Sequence, residues 1–195
     1  MKTIPLFGKR FIALFIAAAI FSAGLIFAAE DEDELLNRAN QVLECLKNRD
    51  YKQLAKFVHS KKGVIFSPYA YINNEAVMLT QAMLKKLKPT DTFMWGYFDG
   101  RGDPMDLNVE DYFNKFVFDQ DFTQAPQTGI NELVKTGNTI SNLNKAFPGA
   151  SFVEFHFPGF NPIYDGIDWT SLRLVFEKVK NQWMLVGIVH DSWTI

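Results

Sequence analysis

The stretch that decides the fold is WTSLRLVFEKVKNQWMLVGIVHDSWTI, residues 169–195. β-Branched and aromatic residues fill both of its arms, and the polar pair Lys180-Asn181 lies between them. Such a composition predicts two antiparallel strands joined by a two-residue turn. The rest of the chain must then supply whatever covers this hairpin.

The predicted hairpin has two faces of different character. One face is wholly apolar, and its pairs are Phe176 with Leu185, Leu174 with Gly187, and Leu172 with Val189. That face must be buried by other elements. The opposite face carries Arg173, Val175, Glu177, Met184, Val186, Ile188 and His190. Because this second face mixes charged and apolar side chains, we expect a pocket or a partner against it.

The amino terminus has the layout of an export signal. Residues 2–10 contain basic residues but no acidic ones, and residues 11–29 are uncharged and mostly apolar. The acidic run 30–34 then ends the apolar stretch. A basic segment followed by an apolar one is typical of secretory signals, and the basic side stays in the cytoplasm. The sequence therefore predicts an exported protein that is periplasmic, extracellular or anchored on the outer side of a membrane.

The fate of residues 1–29 has two alternatives. A cut after Ala29 places Phe27 at the third position before the cut, where a small residue is preferred, whereas 22–24 (Ser-Ala-Gly) fits that preference but leaves apolar residues behind. Nineteen apolar residues can also just span a bilayer. A cleaved signal peptide and an uncleaved amino-terminal anchor both remain open, and this segment is the only expected contact with a membrane.

Composition limits what residues 30–195 can be. Without the leader the chain keeps 17 basic and 22 acidic residues, a net charge of about −5, so nucleic acid is not an expected partner. The length suits a single domain with its own core. A lone cysteine, Cys45, cannot form an internal disulfide, and three scattered histidines offer no metal-binding spacing. We therefore expect neither a metal nor a cofactor.

The order of elements predicts the fold class. Apolar residues at helical spacing fill 35–46, and Asp50 opens a second helix as an N-cap with Gln53 three residues on. Strand patterns follow at 92–98 and 151–157 before the closing hairpin. Helices first and strands later indicate an α+β fold, in which a curved antiparallel sheet wraps around the amino-terminal helices.

Four segments carry a resemblance to known proteins. They are HSKKGVIFSPYAYI (59–72), WGYFDGRGDP (95–104), VEFHFPGF (153–160) and LVGIVHDSWTI (185–195). These segments resemble a family of uncharacterised exported bacterial proteins, which is similar to the nuclear-transport-factor-2-like superfamily of cone-shaped α+β proteins. The resemblance implies a cone-shaped fold and an extracytoplasmic location, and it implies no activity.

Glu154 and His156 are the first candidate functional pair. They are two residues apart in the alternating strand SFVEFHF, so they share one face at a separation of about 7 Å. A carboxylate beside an imidazole could act as acid and base in a pocket. Alternatively, the two side chains line a solvent-facing side of the strand, with Phe155 and Phe157 opposite them in the core.

Arg173 and His190 are the second candidate pair, on the mixed face of the hairpin. Together they could hold an anionic ligand. The alternative for Arg173 is a salt bridge to Glu177, which is four residues later and two positions along the same face of the strand. His190 and Asp191 are adjacent and point to opposite faces of a regular strand, so they could form a dyad only across a bulge.

Four aromatic residues, Tyr69, Tyr71, Trp95 and Tyr97, allow two interpretations. Their rings could stack on a sugar or another ring, or they could belong to the core, as aromatic residues at strand spacing usually do.

These observations lead to an expected function. We expect an exported, non-catalytic binding or interaction module, with a pocket between sheet and helices for a small-molecule or peptide ligand. The candidate ligand-binding residues are Glu154, His156, Arg173 and His190. The alternative is a small hydrolase, isomerase or dehydratase that uses the same four residues. A third alternative is a homodimer that pairs through apolar residues of the outer sheet face, such as Val186 and Ile188.

Overall fold

The computed structural model describes residues 29–194 of the chain. The predicted leader, residues 1–29, lies outside the described residues apart from Ala29. Helix α1 covers 29–47 within the described range, and α2 follows at Tyr51–Phe57. The predicted cap is confirmed, because the Asp50 carboxylate accepts a hydrogen bond from the Gln53 amide at 2.9 Å. None of the helices in 29–194 has the length and apolar character needed to cross a membrane.

Strands and short helices make up the remainder. In chain order they are β1 Val64–Ser67, β2 Val77–Leu79, α3 Gln81–Leu84, β3 Thr92–Tyr97, β4 Pro104–Asn108, α4 Val109–Phe116, β5 Gln127–Ile130, α5 Leu143–Ala146, β6 Ser151–Phe157, β7 Thr170–Val179 and β8 Gln182–Ser192. Single 3₁₀ turns lie at Phe122–Gln124 and Pro162–Tyr164.

Within residues 29–194, six strands form one curved sheet in the order β2-β1-β8-β7-β6-β5, and β3 and β4 form a separate hairpin. The predicted α+β class is confirmed. The pairing is antiparallel except between β1 and β8, which run parallel with Ile65 beside Gly187. The sheet was predicted to be wholly antiparallel, and the pairing of β1 with β8, the last strand in the chain, is the one exception.

The closing hairpin confirms the predicted turn and corrects the predicted register. Both turn residues have positive φ, 47° at Lys180 and 64° at Asn181, as the twist-matched two-residue turn requires. Phe176 pairs with Leu185 as predicted. Beyond that pair a bulge leaves Val186 without a partner, so the remaining pairs shift by one residue. Leu174 is opposite Ile188 rather than Gly187, and Leu172 is opposite His190 rather than Val189.

The bulge exchanges the faces of every β8 residue that follows it. Ile188 and His190 were predicted on the mixed face, but they lie with Leu172 on the side of the helices, which we call the inner face. Asp191 moves to the opposite side, the outer face. Phe147 packs directly over the bulge at Gly187. Only glycine fits there, because a Cβ at this position would lie 2.7 Å from Cζ of Phe147.

The inner face forms the main core, as predicted from its apolar row. Leu172, Leu174, Phe176, Leu185 and Ile188 are all at most 1% exposed. Side chains from α1, α2 and α4 pack on them, together with aromatic residues from the β3–β4 hairpin. The packing fills the region between sheet and helices where the sequence predicted a pocket.

A second apolar cluster closes the outer face. Phe147 beside α5 packs with Val175, Val186 and Val189 of the sheet. The surface suggested for a homodimer is therefore covered by the chain itself, since Val186 is buried here and Ile188 lies on the inner face.

Candidate functional site

The four residues predicted to bind a ligand lie on two faces of the sheet. Glu154, His156 and Arg173 are on the outer face. His190 is on the inner face, because the bulge in β8 turns its side chain to that side. All four are at most 3% exposed. The structure therefore does not bring them together in one cavity, and each has its own set of partners.

Arg173 is the centre of a buried ion network. Its Nε lies 2.9 Å from Oε2 of Glu154, and its Nη2 lies 2.8 Å from Oδ2 of Asp191. Nη2 also donates to the carbonyl of Lys135, in the loop that crosses the outer face. The predicted alternative, a salt bridge from Arg173 to Glu177, is wrong: β6 and β8 flank β7, so carboxylates on both neighbouring strands are closer to the guanidinium.

The network has a defined charge balance. Two carboxylates and one guanidinium give a net charge of −1 when all are ionised. Burial raises the pKa of Asp191, although Arg173 opposes this rise. Burial alone would lower the pKa of Arg173, but the carboxylates of Glu154 and Asp191 raise it. A guanidinium held this way locks three strands and a loop together, and it has no contact with solvent.

His156 is part of the same buried layer. Its Nδ1 lies 2.8 Å from Oγ of Ser171, and its ring packs 5.8 Å from the Trp169 ring. Burial lowers the pKa of His156, so the ring is neutral near pH 7. The prediction that Glu154 and His156 share a face is confirmed, and so is the placement of Phe155 in the core. The solvent-facing alternative is wrong, because the loop after β5 covers this side of the strand.

His190 ties the inner face to the loop after α4. Its Nε2 lies 3.0 Å from Oγ1 of Thr170, and Thr170 donates to Asp119 at 2.9 Å. The other ring nitrogen lies 3.2 Å from the carbonyl of Pro68. The Phe116 ring meets the imidazole edge at 5.8 Å. Both ring nitrogens of His190 therefore lie within hydrogen-bonding distance of protein groups, and the residue is buried.

An open cavity lies elsewhere, between the loop after β1 and the β3–β4 hairpin. Its volume is about 220 Å³, and its lining includes Tyr69, Tyr71, Trp95 and Tyr97. We call it the tyrosine cleft. The two alternatives for these aromatic residues each apply to part of the set. Trp95 is buried in the core, whereas Tyr71 and Tyr97 are 56% and 50% exposed at the cleft.

Local hydrogen bonds shape the β1 side of the cleft. The buried Ser67 hydroxyl, at the end of β1, donates to the Tyr69 carbonyl at 2.8 Å and lies 3.3 Å from the Tyr71 carbonyl. These bonds curl the chain back on itself and turn the Tyr71 side chain outward. The Tyr69 hydroxyl accepts from the Asp99 amide at 3.0 Å, which ties this loop to the hairpin.

The hairpin side of the cleft depends on an irregularity in β3. Trp95 donates from Nε1 to the Leu107 carbonyl at 2.9 Å and stacks on Tyr112 with ring centroids 3.7 Å apart. The pairing of β3 with β4 shifts register between Met94 and Tyr97, where Gly96 has φ of 131°. Two residues that would share one buried face in a regular strand are thereby separated into a core Trp95 and an exposed Tyr97.

The charged side chains that line the cleft are both acidic. Glu75 and Asp99 contribute carboxylates, and no lysine, arginine or histidine is among the described lining residues. Neither carboxylate makes an ion pair with any residue of 29–194. Burial raises the pKa of Tyr69, so its phenol stays neutral. The cleft is thus an aromatic site with two unpaired negative charges.

A basic groove adjoins the cleft. Arg101 and Lys115 line it together with Phe98 and Trp193, and it shares Tyr69 and Asp99 with the cleft. The Lys115 ammonium lies 4.7 Å from the centroid of the Phe98 ring. The two cations near the cleft, Arg101 and Lys115, therefore lie by the Phe98 ring, outside the tyrosine cleft.

The two acidic residues of the cleft were not among the residues predicted from the sequence. Glu75 lies in a segment with ambiguous strand and helix patterns, and Asp99 begins a turn that is ordinary in composition. No local pattern links the two positions. In the described chain, 29–194, no group of three or more His, Cys, Asp or Glu side chains is arranged to hold a metal ion.

Comparisons with known proteins add little beyond the fold. No known family model matches the chain, and no curated protein matches it. Solved structures that match include an NTF-2 like protein of unknown function from Shewanella oneidensis MR-1, with 10% identity, a TM-score of 0.36, and coverage of 82% of this chain and 98% of that one. A putative calcium/calmodulin dependent protein kinase II association domain from Xanthomonas campestris matches with 10% identity, a TM-score of 0.31, and coverage of 77% and 79%.

A DUF4783 family protein from Bacteroides ovatus ATCC 8483 matches with 13% identity, a TM-score of 0.27, and coverage of 80% of this chain and 94% of that one. One of the three is itself described as NTF-2 like, the superfamily that the sequence resembles.

Proposed function

We propose that this chain is an exported, non-catalytic binding protein whose ligand site is the tyrosine cleft. One observation carries the proposal: Tyr71 and Tyr97 are half-exposed on opposite sides of a cavity whose two carboxylates have no partner within 29–194. Large apolar rings that converge on a concave, partly polar surface are the usual form of a small-ligand site.

The size of the cleft limits the ligand. Its volume of about 220 Å³ lies below the ~300–1,000 Å³ typical of sites for drug-sized molecules. A small metabolite or one side chain of a peptide fits this space, and a dinucleotide does not. A ligand that covers about 50 Å² of each tyrosine ring gains roughly 1 kcal/mol per ring from burial alone.

The chemistry of the lining favours binding over catalysis. Its described residues include no histidine, cysteine or lysine, and the Ser67 hydroxyl is occupied by backbone carbonyls. An activated nucleophile needs a base within hydrogen-bonding reach, and the Ser67 hydroxyl is hydrogen-bonded to the Tyr69 carbonyl and to neither lining carboxylate. The four residues on which the enzyme alternative rests are buried and bonded to their neighbours: Glu154, His156, Arg173 and His190.

A variant experiment tests the site. Saturation-transfer NMR on the full chain would be run with choline, Nα-acetyl-lysine amide, methyl glucoside and indole as separate probes. We expect at least one probe to bind, and the Tyr71→Ala/Tyr97→Ala variant to abolish that binding. The matched control is Tyr164→Ala, because Tyr164 is 55% exposed but lies outside the cleft. Equal binding to the double variant, or binding by no probe, contradicts the proposal.

The export part of the proposal is supported by the composition of residues 1–29 and needs its own test. Expression of the full chain with a carboxyl-terminal tag, followed by fractionation and intact-mass measurement, distinguishes the alternatives. A shortened extracytoplasmic protein indicates a cleaved signal, and a full-length membrane-bound protein indicates an anchor. A full-length protein in the cytosol would show that the export prediction is wrong.

A further inference from the structure

We infer that the ligand of the tyrosine cleft carries an organic ammonium group; this inference rests on the proposed function. The first reason is charge. Glu75 and Asp99 are the charged residues of the described lining, and both lack an ion-pair partner within 29–194. An anionic ligand would be repelled by both carboxylates, whereas a cation would be attracted by both.

The second reason is the state of the aromatic rings. Elsewhere on this chain, buried and half-buried rings contact a cation of the protein: Lys115 lies 4.7 Å from the centroid of the half-buried Phe98 ring, and Lys178 lies 5.1 Å from that of the buried Trp183. Among residues 29–194, no lysine or arginine lies over any of the four cleft rings. The faces of Tyr71 and Tyr97 are therefore available to a cation from outside the chain.

Rings and carboxylates together select a particular kind of cation. An aromatic face attracts a weakly hydrated ammonium through its quadrupole, and aromatic cages are known sites for quaternary ammonium groups. A neighbouring carboxylate adds charge attraction to that of the rings. A metal ion would instead need several converging ligands, and within 29–194 neither Glu75 nor Asp99 belongs to a group of three or more His, Cys, Asp or Glu side chains that could hold one.

A neutral sugar is the rival ligand, because it also stacks on tyrosine rings and donates hydroxyl protons to carboxylates. Charge separates the two. Choline and 3,3-dimethylbutan-1-ol have nearly the same shape, and only choline is charged. Isothermal titration of both on the full chain, in a polyoxyethylene detergent without sugar or choline head groups, compares a cation with its neutral analogue.

We expect choline to bind at least tenfold more tightly than 3,3-dimethylbutan-1-ol, and its affinity to fall as sodium chloride is raised. The Glu75→Gln/Asp99→Asn variant should lose at least tenfold in choline affinity while its weak affinity for the neutral alcohol is unchanged. This retained alcohol binding shows that the variant is folded. The control Asp165→Asn removes one negative charge from an exposed loop outside the cleft and should leave choline binding unaltered.

The source of the ammonium group is resolved by a second probe. Nα-acetyl-lysine amide presents the cation as a peptide side chain, so tighter binding of this probe than of choline indicates a peptide partner, and the reverse indicates a free small molecule. Equal affinity for choline and the neutral alcohol would overturn the ammonium inference and leave the binding proposal standing. Failure of every probe in both experiments would overturn both.

Discussion

Arg173 and Asp191 meet at 2.8 Å on the outer face of the sheet because the bulge at Val186 turns Asp191 to that side. In a regular hairpin Asp191 would point to the inner face, and Arg173 would have one carboxylate partner, Glu154. The bulge thus completes a buried network of three charges across β6, β7 and β8.

Removal of the central cation should be strongly destabilising. Arg173→Leu leaves Glu154 and Asp191 buried without their partner, and breaking a buried ion pair from one side costs about 3–5 kcal/mol of the free energy of unfolding. Urea denaturation measures the loss. The matched control is Lys62→Leu, which removes a cation from the exposed pair with Glu177 and should cost less than about 1 kcal/mol. Equal losses in the two variants would contradict the network's assigned role.

Asp191 should make stability fall as the pH rises. Burial raises its folded-state pKa above the ordinary value of 3.8, so the folded protein holds the proton more tightly than the unfolded chain. Its favourable contribution is present below the unfolded pKa and is lost as the pH rises through the folded pKa. We therefore expect Asp191→Asn, compared with the wild type, to gain in relative stability from pH 4 upward. A stability difference that is constant with pH in urea titrations would rule this out.

His156 should act in the opposite direction. Burial lowers its folded-state pKa below 6.5, so its contribution to stability is present above that pH and is lost as the pH falls through the folded pKa. Glu154, Lys135, Arg173 and the Ser171 hydroxyl surround the ring. In His156→Gln the decline in unfolding free energy below pH 6.5 should be shallower than in the wild type, as measured by chemical denaturation at a series of pH values. Parallel curves would contradict this assignment.

Gly187 should resist even the smallest side chain. A Cβ there would lie 2.7 Å from Cζ of Phe147 and 3.2 Å from Cβ of Val175, so Gly187→Ala forces apart the cluster that covers the outer face. Overpacking of this kind costs about 1–3 kcal/mol. Combination with Phe147→Leu should recover part of the loss, because the smaller side chain relieves the clash. Strictly additive losses in thermal or urea unfolding would show that the two residues do not interact.

Local patterns predicted the elements of this fold well. The arms of the closing hairpin, the turn at Lys180-Asn181 and the cap at Asp50 all have a signal within a few residues of themselves, and all are confirmed. The register of β8 has no such signal. The run 185–189 is apolar on both faces, so its hydrophobic pattern does not indicate which residues face the core. A one-residue bulge within this run therefore cannot be recognised from the sequence.

The candidate site was less accessible to sequence reasoning. The aromatic residues were recognisable, but Tyr97 is exposed only because β3 breaks its alternation at Gly96. Glu75 and Asp99 belong to different loops and line one cavity only after the β3–β4 hairpin packs beside the chain that follows β1. Such a meeting depends on tertiary structure, and neither residue differs locally from an ordinary surface acid.

The parallel pairing of β1 with β8 also limits when the protein can fold. Ser67 of β1 is paired with Val189 of β8, and the two are far apart along the chain. Contacts between such distant segments form late. The sheet therefore stays unfinished until β8 has been synthesised. A chain that ends before Gln182 would lack β8 and leave the edge of β1 open to other molecules.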